Sequence, residues 1–117
     1  MKRIFVHLAP FERAWSGAGL TDDKLRLLQL FLLYNPDCGD IIKGTHGIRK
    51  LRWSEDGKGK RGGLRIFFID FPAVERTYLI TLLRKSDAAD LSSDQRKILS
   101  SMVLELKRIL AESKSRN

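Results

Sequence analysis

Two alternating runs on either side of a glycine-rich loop constrain this chain more than any other feature. Residues 48–53, IRKLRW, alternate with the period of a strand. Ile48, Lys50 and Arg52 share one face, and Arg49, Leu51 and Trp53 the other. Leu64 to Phe71 is the clearest strand, with Arg65, Phe67 and Ile69 on one face and Leu64, Ile66 and Phe68 on the other. Between the runs lies GKGKRGG, residues 57–63, which carries three cations, Lys58, Lys60 and Arg61, among four glycines. Glycine has no Cβ, so a phosphate can come close to such a main chain, and successive backbone N–H groups can form an anion-binding nest. Residues 43–65 hold eight Lys or Arg and two acids, which is +6 of the chain's formal +8. A polyanion is the expected partner, with RNA or DNA the first candidate.

The remaining elements fall around this pair. Residues 3–7 read as a short strand on the β-propensity of Ile4, Phe5 and Val6. Pro10 suits the first turn of a helix over residues 11–15, which Gly17 and Gly19 end. Thr21 is a good N-cap for a helix to Tyr34, with Asp22 and Asp23 placed where the helix dipole favours acids. Leu25, Leu28, Phe31 and Leu32 form its main apolar stripe, and Leu27, Leu30 and Leu33 widen it beyond what one buried face needs. That surplus points to a covering partner. Residues 37–45 read as a loop. Pro72 and Ala73 mark a turn, and residues 76–83 form the next strand, so three consecutive strands make an antiparallel meander. Ser92 and Gln95 predict a capping box. Ile98, Leu99, Met102, Val103, Leu106, Ile109 and Leu110 follow as the stripe of a C-terminal helix, with residues 112–117 a frayed tail. The expected fold is α+β: a small antiparallel sheet, an N-terminal helical pair and a C-terminal helix. The helices should cover one face and leave the other at least partly open.

With 117 residues and 43% hydrophobic content, the chain reads as one domain over residues 1–117 that needs no disulfide or metal to fold. The lone Cys38 excludes an intrachain disulfide and fits a reducing cytoplasm, where a half-buried loop thiol is expected. The N-terminal apolar run is broken by Pro10, Glu12 and Arg13 before a signal-peptide core could form, and residues 25–34 are too short to span a bilayer. The positive charge lies in a strand–loop region, not along an amphipathic helix, which argues against membrane binding. The two histidines, His7 and His46, suggest no metal site, and no Ser or Thr follows the lysines as a Walker loop requires.

The run GDIIKGTHGIRKLRW, residues 39–53, followed by GKGKRGGLRIFF, residues 57–68, resembles the HigB-like branch of the RelE/HigB superfamily of toxins from bacterial toxin–antitoxin pairs. RKSDAADLS, residues 84–92, is similar to a later segment of that branch. The resemblance implies a RelE-like fold and a cytoplasmic endoribonuclease, an mRNA interferase acting on messages in the A site of the ribosome. It implies a cognate antitoxin protein as inhibitor, and no metal or cofactor. In the mechanism it implies, the RNA's own 2′-OH attacks the adjacent phosphorus, leaving a 2′,3′-cyclic phosphate and a 5′-OH. Fixed cations stabilise the added phosphoryl charge, one such donor typically contributing about 3 kcal/mol.

Carried across by position, the catalytic candidates are Lys50 and Arg52 on one strand, Arg65 after the loop, and Lys85 at the end of the last strand. Lys58, Lys60 and Arg61 would grip flanking RNA or ribosomal RNA, and Arg49 and Arg84 are further RNA-binding candidates. Ser86 stands where RelE has an arginine, and Ser92 where it has a tyrosine. The general base stays open between Lys50, if neighbouring cations depress its pKa, and His46, in a slot where the branch usually has glycine. Plainer readings stand beside these: a solvated strand face for Lys50 and Arg52, a hairpin tip for the glycine loop, and core packing for Trp53, whose alternative is stacking on a base. A non-catalytic RNA- or protein-binding module and a ParE-like gyrase inhibitor are the alternative functions.

Overall fold

Alternation in residues 64–71 produces the middle strand of a five-stranded sheet in a computed structural model that describes residues 2–54, 63–86 and 90–115. Lys58, Lys60 and Arg61 lie outside the described residues. In chain order the elements are β1 (Ile4–His7), α1 (Ala9–Gly17), α2 (Asp22–Tyr34), β2 (Asp40–Ile41), β3 (Arg49–Trp53), β4 (Leu64–Phe71), a 3₁₀ turn (Pro72–Val74), β5 (Arg76–Arg84) and α3 (Ser93–Ser115). The strands lie side by side as β1-β5-β4-β3-β2.

Two expectations about the sheet are corrected. The sheet is mixed, because β1 pairs parallel with β5, Ile4 facing Arg76 and His7 facing Leu79, while the other pairs are antiparallel. Parallel neighbours need a crossover rather than a hairpin, and α1, α2 and the meander provide it. Nor do the helices share one face. Phe11, Trp15, Leu28 and Leu32 of α1 and α2 bury Trp53, Leu64, Ile66, Phe68 and Leu79 on one side. Leu99, Val103 and Leu110 of α3 bury Phe67, Ile69, Tyr78 and Ile80 on the other. Strands β4 and β5 are apolar on both faces, and that pattern requires a cover on each.

Local signals explain the helix ends. Thr21 Oγ1 accepts the Lys24 amide at the start of α2. Ser92 and Gln95 exchange both bonds of the capping box at the start of α3, which continues to Ser115 through the stretch expected to fray. The loop expected over residues 37–45 contains the two-residue β2. A register shift at Phe67/Phe68 pairs Phe67 with Thr81 and Phe68 with Leu79, so Ile80 is skipped in the pairing. Among the described residues no helix is long and apolar enough to cross a membrane.

Candidate functional site

The approach to β3 is built by the motif GDIIKGTHG. Gly39 has φ +75°, and a Cβ there would lie 2.5 Å from the Lys50 carbonyl oxygen. Only glycine lets β2 run this close beside Lys50. Thr45 is buried and knits the turn: its Oγ1 donates to the Ile42 carbonyl at 2.6 Å and accepts the Ile48 amide at 3.2 Å. Much of the motif is therefore a scaffold that fixes where β3 begins and which way its side chains face.

Facing residues of paired strands lie on the same side of a sheet. Lys50 faces Phe67, and Arg52 faces Arg65, which in turn faces Leu83. Phe67 and Leu83 belong to the α3 side, so Lys50, Arg52 and Arg65 share that side. One row further on, the Lys85 amide donates to the Gly63 carbonyl at 2.7 Å, which places Lys85 at the end of the sheet beside Gly63. Four of the sequence candidates thus fall on successive rows at one end of the sheet. The body of α3 lies away from this end. The helix starts next to Lys50 and runs away from Arg52, since Ser100 reaches the Gly44 carbonyl and Lys107 the His46 carbonyl.

Exposure grades these cations. Arg52 and Lys85 are exposed, Lys50 is half-buried, and Arg65 is 8% exposed with Nη1 donating to the Leu64 carbonyl. Placing like charges opposite each other, as at Arg52 and Arg65, is not a device for holding two strands together.

Arg49 and Arg84 do not join the group. Arg49 faces Phe68 and Arg84 faces Leu64, both on the α1–α2 side. Arg49 Nη1 donates to the carbonyls of Asp37 (2.8 Å) and Gly39 (3.4 Å). Arg84 Nη2 donates to the Ala18 carbonyl at 2.8 Å, just past the end of α1, where the helix dipole favours a cation. Trp53 is 6% exposed and packs against Phe31, so it serves the core. His7 packs on Phe11 and contacts Gln29.

Sequence reasoning missed Asp90 and Arg96. Asp90 Oδ2 accepts Lys50 Nζ at 3.0 Å and Arg96 Nη2 at 3.3 Å, while Oδ1 accepts the Leu91 amide at 2.8 Å. Burial pushes the Asp90 carboxyl up. The Lys50 hydrogen bond, the Leu91 amide and the charges of Lys50 and Arg96 outweigh it and hold the group below the ordinary carboxylate range. Lys50 thus has a carboxylate at hydrogen-bond distance, a partner that the sequence reading did not include. His46 is exposed, with its carbonyl tied to Lys107 on the later part of α3, at the other end of β3 from Arg52. Ser92 is spent as the α3 cap. Burial pushes the half-buried Cys38 thiol up to about 11, which keeps it a poor nucleophile. No protein-family model matches the chain.

Proposed function

We propose that this chain is the toxin of a bacterial type II toxin–antitoxin pair, a RelE-like fold acting in the cytoplasm as a metal-independent mRNA endonuclease on the ribosome. The observation that carries this reading is the ladder of cations, Lys50, Arg52, Arg65 and Lys85, gathered at one end of the sheet, with Arg52 and Lys85 exposed. The likeness of residues 39–68 to the HigB-like branch supplies the reaction. Arg52 and Arg65 would hold the scissile phosphate between them and take up the charge that develops as the 2′-OH attacks. Lys50 and Lys85 would contact neighbouring phosphates, and Lys58, Lys60 and Arg61 the flanking RNA or ribosomal RNA. The proposed partners are mRNA, the ribosomal A site and an antitoxin. Leu27, Leu30 and Tyr34 of α2 are at least half exposed and offer apolar area for the antitoxin.

One observation favours a second reading, a module that binds without cutting: Lys50 is ion-paired and Arg65 is largely covered. Brief expression in a bacterium, followed by primer extension on several messages, separates the possibilities. The nuclease reading expects growth arrest with new 5′ ends inside coding regions. Arrest with intact messages and broken DNA would move the assignment to gyrase poisoning, and arrest with both intact to a binding module.

A further inference from the structure

Lysine is a poor choice for a fixed catalytic cation unless something holds it. Its four-carbon stem loses about 2 kcal/mol of rotamer entropy when ordered, and a displacement of about 1 Å in a catalytic group can cost about 10²-fold in rate. For Lys50 the fixing element is Asp90. This aspartate is anchored at the head of α3: its Oδ1 takes the amide of Leu91, which is 5% exposed in the α3 core, and the Ser92–Gln95 capping box follows at once. The other oxygen, Oδ2, receives both Lys50 Nζ and Arg96 Nη2. Among the described residues two cations and one carboxylate meet at this corner. The Lys50 ammonium has three donors in all, so the bond to Asp90 leaves two for a ligand.

We propose that Asp90 is a positioning residue: it clamps Lys50 and Arg96 into one rigid unit at the head of α3, so that the Lys50 ammonium meets the RNA phosphate already oriented. This rests on the nuclease reading for its consequence, though not for the clamp itself. The carboxylate acts through Lys50 and takes no proton in the reaction, in keeping with the way its surroundings hold it ionised. It also makes the head of α3 part of the site, although the helix body serves the core.

Two measurements test this. The first is a double-mutant cycle in single-turnover cleavage of ribosome-bound message, using Asp90→Asn, Lys50→Ala and the pair. Asp90→Asn should slow cleavage about tenfold in the wild-type background and less than about twofold in the Lys50→Ala background, the signature of a residue acting through its partner. Equal effects in both backgrounds would mean that Asp90 only supports the fold, and would overturn the proposal. If Asp90→Asn folds poorly, Arg96→Gln loosens the same clamp from its other side and must show the same dependence on background. The second measurement needs no RNA: the rate of acylation of Lys50 by a small reagent, read by mass spectrometry, with exposed Lys43 as control. Asp90→Asn should speed labelling of Lys50 several-fold and leave Lys43 unchanged. Equal labelling of Lys50 in the two proteins would overturn the clamp. Faster labelling of Lys50, in a protein that cuts no message, would retain the clamp and remove the nuclease reading.

Discussion

His46 occupies the left-handed backbone region at φ 64°, where a residue with a Cβ carries a cost of about 1–2 kcal/mol relative to glycine. This gives a physical reason for glycine in the same slot of the resembling toxins, and the residue is exposed before the start of β3, at the other end of that strand from Arg52. His46→Gly should therefore raise stability by up to about 1 kcal/mol in urea unfolding and leave message cleavage unchanged. A drop in cleavage would restore the histidine as a base. Gly39 shows the opposite constraint, with no room for a Cβ against Lys50. Residues of this kind were legible as a motif but not as a mechanism, because a positive φ and a 2.5 Å approach depend on which strand lies alongside. Lys50, Arg52 and Arg65 were placed on strand faces by alternation alone, and the register of β3 and β4 brings them together. Alternation equally put Arg49 on the reverse face. What it could not show is that Arg49 donates to the carbonyls of Asp37 and Gly39 and Arg84 to that of Ala18.

Elements with local signals were the readable ones. The Thr21 cap, the capping box of α3 and the alternation of β4 each lie within a few residues, and each appears where the sequence puts it. Pairings between remote segments were not readable: β1 beside β5, the two-residue β2, and the choice of sheet face for α3. Asp90 belongs to that class, since its partner Lys50 is forty residues away. The clamp makes a pH prediction with a definite sign. Asp90 titrates lower in the folded protein than the ordinary aspartate value of about 3.9. Its contribution to stability is therefore fully present above that value and is lost as pH falls through the lowered folded value. Thermal melts of wild type and Asp90→Asn should differ at neutral pH, and the gap should close below about pH 4. A gap that stays constant to acid pH would show that the charge of Asp90 contributes nothing.

The whole molecule pairs a sheet packed on both faces with a cluster of cations at one end. Both sheet faces pack helices, α1 and α2 on one and α3 on the other, and the proposed site lies at the end beyond the head of α3. The net charge of +8 predicts salt-sensitive binding to RNA. Replacing Lys58, Lys60 and Arg61 by Gln together should make the dependence of binding on salt shallower. The log–log slope should fall by about 0.7 for each phosphate of single-stranded RNA that the protein no longer neutralises. An unchanged slope would leave the glycine loop as a hairpin tip. The most direct test of a cation-driven nuclease is the cleavage rate of a message held in purified ribosomes, measured with excess wild-type protein and with Arg65→Ala, alongside the chemistry of the new ends. Wild type should leave a 5′-OH and a 2′,3′-cyclic phosphate, and Arg65→Ala should cut about 10²-fold more slowly while remaining folded. Equal rates in the two proteins, or 5′-phosphate ends, would contradict it.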